Sequence, residues 1–441
     1  MMRKNIGKIM KEELERIKPS EDDEKKIGAI VREFVLKLNS KLKKYKAEAV
    51  MGGSFVKGTT IKKKRYDVDL FVLFKEDEKM LGNSKNFQRA KNQRFLSISD
   101  KLEKALKELK VKYSRLPGSR DYFSIDSEVS GIKFKTEIVP VFRIKKSEEA
   151  RNVTDVSMLH VNYVKNKIRK NPKLPDEIRL AKALCYAQNC YGAESHIKGF
   201  SGYCLEILTC YYGSFLNLMK NASKWNQKKI IDPGKHYKNE NEIMTEVNEA
   251  KLMSPLVLID PVQMNRNAAA ALDNEKYNLF IESAKKFLKN PSGKLFEKKE
   301  FDPKRFIETA KKKKLSLFEV YARSERVKED ISGAKLLKLH NVLIGTLKKE
   351  EYEIMQEWDF SDQKSVSYFA LKSPKVILQK GPPVARAKHA KEFKNRWKKV
   401  FVKNGDLYTK REPKDALAVL NLNKKLLRDM GIDSFRVKKI F

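Results

Sequence analysis

The sequence predicts a multidomain protein of the α+β class. Three observations point there. Residues 20–143 mix amphipathic helices with short apolar runs that read as strands. From about residue 151 the apolar periodicity turns helical, and after about residue 299 basic helices alternate with strand-like runs. A chain of 441 residues has room for about two to four domains. The changes in texture place boundaries near 150 and 298, giving segments 1–150, 151–298 and 299–441.

In order along the chain, residues 20–44 read as a helix. Ser20 is a candidate N-cap with Asp23 three residues on, and Ile27, Ile30, Val31, Phe34 and Leu38 fall on one face. A short strand at 47–51 leads into Gly52-Gly53-Ser54. The run of Val68, Leu70, Phe71, Val72, Leu73 and Phe74 predicts a strand over about 67–74. A second amphipathic helix is expected over 87–110, with Ile98, Leu102, Ala105, Leu106 and Leu109 as its stripe. Segments 122–129 and 132–143 look like paired strands around Ser130-Gly131, with Glu137 on the second, near Pro140. Helices are expected at 176–190, across the apolar stretch 199–218, and over 267–290, where Pro291 and Gly293 stop the last. Further on, 365–378 reads as strand, Gly381-Pro382-Pro383 as a break, and 387–399 as a basic helix.

Composition narrows the function. Hydrophobic residues make up 41% and aromatics 10%, which fits a folded chain rather than a disordered one. No apolar run approaches the ~20 residues that span a bilayer. The first residues lack the apolar core of a secretory signal, so the expectation is a soluble, cytoplasmic protein with no membrane partner. Lys and Arg number 95 against 57 Asp and Glu, a net charge of +38. Such a field favours a polyanion as partner, nucleic acid ahead of an anionic membrane surface, although a Lys-rich genome or a hot or salty habitat accounts for part of the excess. The cysteines, Cys185, Cys190, Cys204 and Cys210, form no CxxC and have no His pair at zinc spacing, so buried free thiols are expected.

The segment MGGSFVKGTTIKKKRYDVDLFVLF carries the chemistry. Asp67 and Asp69 are two apart in a strand, so both carboxylates project from one face. Adjacent carboxylates repel, and a cation that joins them removes the penalty. Oxygen-only donors suit Mg²⁺, which completes its shell with phosphate and water. The Gly-Gly-Ser turn lets backbone N–H groups approach an anion. With Glu137 as a third acid, the set predicts metal-dependent nucleotidyl transfer with Mg²⁺ as cofactor. The alternative for Asp67 and Asp69 is a solvated strand edge.

Several blocks lie in order along the chain: GSFVKGT followed by DVDLFVLF, then EIVPVFR, SMLHVNYV, DEIRLAKALCYAQNCYGAESHIKGFSGYCLEIL, LIDPVQMNRNAAAAL and KGPPV. Together they resemble the archaeal-type, class I CCA-adding enzymes, tRNA nucleotidyltransferases of the polymerase-β superfamily. GS and DxD alone are shared with many nucleotidyltransferases; YGAE with KGFSGY, followed by IDP and NRN, is far more specific. The resemblance implies a polymerase-β-like nucleotidyltransferase head with a mixed sheet, a helical neck that completes the nucleotide pocket, and an α/β body and tail. It implies template-free addition of C, C and A to the tRNA 3′ end from CTP and ATP. Body and tail would grip the acceptor stem and TψC arm, and a homodimer would form through the tail.

Carried residue by residue, the resemblance makes Asp67, Asp69 and Glu137 the ligands of two Mg²⁺ ions. The family usually has Asp where Glu137 stands. Ser54 and Lys57 match triphosphate-binding positions, Lys57 standing where the family often has Arg, so that a point charge replaces a fork of donors. His160, Lys182 and Tyr191 match nucleotide contacts of the neck, Lys182 and Tyr191 toward phosphates and His160 toward ribose or phosphate. Arg266 matches the arginine that reads the incoming base, and Asp260 is a candidate to orient it. Without the resemblance, Lys57 reads as a surface lysine, His160 and Tyr191 as packed residues, and Arg266 as the cap of a helix over 268–272. The basic surface of Lys311, Lys312, Lys313, Lys314, Lys388, Lys391, Lys394, Arg396, Lys398 and Lys399 would neutralise phosphates. Two other functions fit the same head: a different RNA nucleotidyltransferase, such as a poly(A) polymerase or an oligoadenylate synthetase-like enzyme, and a catalytically silent RNA-binding protein.

Overall fold

The structure, a computed structural model, describes residues 2–75, 87–298, 300–325 and 328–441, with backbone alone for 2–5 and 87–97. The chain divides into two compact units, Met1–Lys299 and Glu300–Phe441. Among the described residues no helix is long and apolar enough to cross a membrane.

The first unit opens with α1 (Met2–Ile17), which the sequence reading did not anticipate, and α2 (Glu21–Leu42). The Ser20 side chain accepts from the Asp23 N–H, so the expected cap starts α2. There follow β1 (Ala47–Met51), the short α3 (Gly53–Lys57), β2 (Arg65–Phe74), α4 (Phe87–Glu108), β3 (Ser114–Leu116), β4 (Tyr122–Val129) and β5 (Ile132–Phe142). The strands form one mixed sheet in the order β1-β2-β5-β4-β3, with β2 and β5 parallel and the other pairs antiparallel. Residues Ser130 and Gly131, both at positive φ, make the expected turn between β4 and β5.

Strict alternation along β2 sets the two faces. Tyr66, Val68, Leu70, Val72 and Phe74 are buried with Ile27, Val31, Leu38 and Leu42 of α2 and Leu102, Ala105 and Leu106 of α4. The opposite face carries Asp67 and Asp69, followed by Phe71, which packs with Val141 of β5 and Val161. One face of the sheet is therefore a hydrophobic core and the other is free for chemistry near its middle.

The rest of this unit is mostly helical: α5 (Ser157–Lys170), α6 (Leu174–Ala187), α7 (Gly202–Tyr212), α8 (Phe215–Ala222), α9 (Glu240–Glu246), α10 (Glu249–Leu252) and α11 (Asn274–Lys289), with the small parallel pair β6 (Lys229–Ile231) and β7 (Leu256–Leu258). The helix expected over 199–218 is two helices. Gly213 at φ 79° ends α7, and Ser214 caps α8 by accepting from the Asn217 N–H. The helix expected from 267 starts at 274, where the Asp273 side chain accepts from Lys276 N–H. Buried Asn267 instead spends its side chain on Leu258, Ala269, Lys251 and Leu256, which holds 267–272 as turns despite their alanines. The core joins Leu180, Leu184, Leu205, Leu208, Phe215, Phe280 and Phe287. All four cysteines are free thiols, three of them buried.

The second unit contains α12 (Pro303–Lys312), β8 (Ser316–Arg323), α13 (Glu329–Lys349), β9 (Glu353–Ser361), β10 (Lys364–Lys372), β11 (Ile377–Pro383), α14 (Ala387–Arg396), β12 (Val400–Lys403), β13 (Asp406–Arg411), α15 (Ala416–Leu420), α16 (Lys424–Asp429) and β14 (Ser434–Lys439). Its sheets run β14-β8-β10-β9 and β11-β13-β12, all antiparallel. Gly381-Pro382-Pro383, expected to break the chain, lies inside β11. This is an edge strand with an irregular register between Lys380 and Pro383, where a missing N–H costs no ladder bond. The Phe393 ring of α14 lies over Gly381, where a Cβ would meet it at 2.7 Å.

Candidate active site

The site is built on the polar face of β2 and β5. The parallel register pairs Asp69 directly with Glu137. Neighbouring residues of paired strands point to the same side, so Asp67, Asp69 and Glu137 share one face. Across from them the chain leaves β1 through Gly52 and turns at Gly53, φ 64°. A Cβ on Gly53 would stand 1.7 Å from the Asp69 carboxylate, so only glycine allows this approach.

The electrostatics of the three acids differ. Asp67 is exposed and receives Lys63 Nζ at 2.9 Å. Glu137 is half-buried and pairs with Lys135 at 2.6 Å. Among the described residues Asp69 is in no such ion pair. Burial first, and the charge of Glu137 second, push its carboxyl up to about 6, with the Lys57 charge working the other way. Among the described residues no three His, Cys, Asp or Glu side chains are already drawn together at metal-holding distance. The lysines hold the outer two acids instead. The residues nevertheless fit a hard divalent cation. The donors are all carboxylate oxygen, they share one face, and the central one is in no ion pair among the described residues.

Lys57, at the end of α3, is not a surface lysine. Its side chain is 9% exposed and its Nζ lies 2.5 Å from Glu206 Oε2, on α7. Lys182 of α6, 4% exposed, reaches the other oxygen, Oε1, at 2.8 Å. Thr59 donates its hydroxyl to the same oxygen at 2.9 Å and accepts from Lys182 at 3.0 Å. Burial pushes Glu206 up, but the charges of Lys182 and Lys57 win and hold it down at about 2. Burial lowers Lys182, with Glu206 opposing. Tyr191 follows α6 and pairs in a single bridge with Phe200. A Cβ on Gly202 would meet the Tyr191 hydroxyl at 2.9 Å and Lys182 Cε at 3.7 Å, so Tyr191 and Lys182 border the same spot. Burial and the Glu206 charge raise the Tyr191 hydroxyl above its usual range. Ser54 Oγ is 3.1 Å from Thr60 Oγ1.

His160 of α5 and Arg266 meet at one carboxylate, Asp260. His160 Nε2 lies 3.0 Å and Arg266 Nη1 2.5 Å from Asp260 Oδ2, while the Tyr203 hydroxyl donates to Oδ1 at 3.1 Å. The contact with the Asp260 carboxylate places an imidazole N–H on Nε2. His160 stacks on the Tyr203 ring, centroids 4.2 Å apart, and the Arg266 guanidinium lies 5.8 Å from the same ring. Asp260 is fully buried. Desolvation pushes it up, but His160 and then Arg266 hold it down at about 2. No helix forms over 268–272, so Arg266 caps none.

Two clusters thus emerge, Lys57 with Lys182 near Asp69 and His160 with Arg266 on Asp260, and α7 joins them through Tyr203 and Glu206 one helical turn apart. Sequence reasoning missed Glu206, Tyr203 and Thr59. The signal for Glu206 was present as one acid inside the apolar run GYCLEIL.

Comparison with known proteins gives the family. Residues 31–153 match the family described as nucleotidyltransferase domain, and residues 176–297 match tRNA nucleotidyltransferase, second domain. The CCA-adding enzyme of Nanoarchaeum equitans is 34% identical over 366 residues, 82% of this chain and 83% of that one. That of Methanocaldococcus jannaschii is 31% identical over 425 residues, 92% of this chain and 88% of the relative. That of Pyrococcus abyssi is 29% identical, covering 85% and 80%. Among solved structures, a cytoplasmic RNA terminal U-transferase superposes with a TM-score of 0.51 at 14% identity, over 68% of this chain and all of the other, a likeness of fold alone. Extended identity to these relatives, over a sheet with paired acids and a helical partner, establishes that the chain belongs to the family of archaeal CCA-adding enzymes.

Proposed function

We propose that this protein adds C, C and A to the 3′ end of tRNA from CTP and ATP, releasing pyrophosphate at each step and using no nucleic-acid template. The observation that carries the reading is the direct pairing of Asp69 with Glu137 on the free face of the sheet, closed by Gly53. Asp67, Asp69 and Glu137 would hold Mg²⁺, which on binding supplies activation of the primer hydroxyl and neutralisation of the leaving pyrophosphate. The 3′-hydroxyl gives up its proton to solvent as its oxygen bonds to the α-phosphorus, and the bond from that phosphorus to the oxygen bridging to the β-phosphate breaks, so that pyrophosphate leaves. Lys57, Lys182, Tyr191 and Ser54 would hold the triphosphate, and burial of the two lysines excludes water and strengthens their charge. His160 would hydrogen-bond the ribose or a phosphate. Arg266, fixed by Asp260, would present its donors to cytosine O2 and N3 or adenine N1.

In this reading residues 1–150 are the catalytic head, 151–298 the neck, and 299–441 the body and tail that take the acceptor stem and TψC arm. The protein acts in the cytoplasm as a homodimer. Lys311, Lys312, Lys313 and Lys314 are exposed, as are Lys388, Lys391, Lys394, Arg396, Lys398 and Lys399 on and after α14. Recognition of an A-form stem rests on shape and phosphates rather than bases, which suits an enzyme for every tRNA. Replacing Lys391, Lys394 and Lys398 together by Gln is expected to raise the KM for tRNA and leave that for CTP unchanged. Each phosphate contact removed should flatten the salt dependence of tRNA binding by a slope of roughly one. Filter binding across a series of KCl concentrations measures this.

The test of the function uses Mg²⁺ and tRNA transcripts ending before CCA, after C, or after CC, with CTP or ATP supplied separately. Two C additions from CTP, followed by a single A from ATP, are expected. Long A tails would instead indicate a poly(A) polymerase, and no incorporation a silent RNA-binding protein.

A further inference from the structure

Two lysines from distant parts of the chain meet on one carboxylate that no sequence motif singled out. Lys57 ends α3 and Lys182 sits within α6, yet their ammonium groups take one oxygen each of Glu206, at 2.5 and 2.8 Å. The Glu206 side chain is 1% exposed. Like charges so close repel, and each ammonium loses hydration by burial. Without the carboxylate the pair would spread apart or one member would shed its proton. With it, the three groups carry a net single positive charge at fixed positions, and Thr59 adds a hydroxyl donor to the same oxygen.

We propose that Glu206 is a positioning residue for the incoming triphosphate: it assembles Lys57 and Lys182 before the nucleotide arrives, so that both ammonium groups meet the phosphates without rearrangement. This rests on the reading that the two lysines hold the triphosphate. Preorganised charge is the arrangement that gains most from a dry site, because nothing is spent on reorienting it during the reaction. Glu206 acts through the lysines and touches no substrate.

Glu206→Gln keeps the shape and removes the charge. Its KM for CTP and for ATP is expected to rise roughly ten- to a hundredfold, the range for losing a charge-assisted contact. The inhibition constant of pyrophosphate should rise in parallel, while the KM for tRNA stays unchanged. In a Lys57→Met background the same substitution should add less than it costs in the parent, because only Lys182 is then left for Glu206 to hold. Glu206→Asp keeps the charge but is too short to reach both lysines, and should weaken CTP binding to an intermediate degree. CTP and pyrophosphate binding are also measured by calorimetry without tRNA, which judges Glu206 even if no tRNA is extended. Nucleotide KM and pyrophosphate affinity within twofold of the parent in Glu206→Gln, with only a lower melting temperature, would overturn the proposal. Should that variant not fold, unchanged CTP binding by Glu206→Asp would overturn it equally.

Discussion

Asp69→Asn is expected to abolish nucleotide addition while making the metal-free protein more stable. The carboxylate sits on the free face of the sheet opposite Glu137 and against the Gly53 backbone. In the proposed function this carboxylate is the central metal ligand, and a loss on the order of 10³-fold in kcat or more is the usual consequence of deleting such a group. Stability moves the other way. Burial and the neighbouring Glu137 charge raise Asp69 from 3.8 to about 6, so the folded protein binds that proton more tightly than the unfolded chain. The resulting contribution to stability is complete below about 3.8 and is lost as the pH rises through about 6. At pH 7.5 the ionised carboxylate therefore strains the metal-free fold by about 1–3 kcal/mol. Asparagine relieves it. Urea unfolding with EDTA should show the variant more stable than the parent at pH 7.5 and the two converging near pH 4. Added Mg²⁺ should stabilise the parent and not the variant. If Asp69 holds the metal as proposed, the same proton competes with it, so the Mg²⁺ concentration needed for half-maximal activity should climb as the pH falls below about 6.

The strands that carry the acids were legible because their alternation is local: Val68, Leu70 and Val72 mark one face and Asp67 and Asp69 the other within a few residues. Capping of α2 by Ser20 was equally local. What the sequence concealed depends on residues far apart. Lys57 reads as a surface lysine until α7 brings Glu206 to it from 149 positions away. The alanines of 268–271 favour helix by propensity, yet Asn267 ties that segment to β7 and the turns win. Gly213-Ser214, by contrast, was a readable stop and start signal inside an apolar run, and the run obscured it.

The second large effect concerns a pair that catalysis does not touch. Arg120 and Asp155 are both fully buried, joined by Arg120 Nη1 to Asp155 Oδ1 at 2.6 Å and by Nη2 to Oδ2 at 3.3 Å. Asp155 also accepts the N–H of Phe142 at 2.8 Å, and those of Arg151 and Asn152, while Arg120 donates to the Pro140 carbonyl. Pro140 and Phe142 close β5, the strand of Glu137, so the pair pins the end of that strand to the segment that enters α5. Arg120→Met should destabilise the unit Met1–Lys299 by about 3–5 kcal/mol, because it leaves a buried carboxylate without its counter-charge. Asp155→Leu should cost as much by stranding the guanidinium. The double variant should be less damaged than the sum of the two, since it buries no unpaired charge. Hydrogen exchange read by mass spectrometry localises the effect: protection of β2 and β5 should fall while that of β8 and β10 stays. Equal loss throughout the chain, or additive single costs, would contradict this account. Where the fold survives, kcat should drop more than the nucleotide KM rises. The displaced element is the strand that sets Glu137 opposite Asp69, whereas Lys57, Lys182 and Glu206 lie on helices that the pair does not hold.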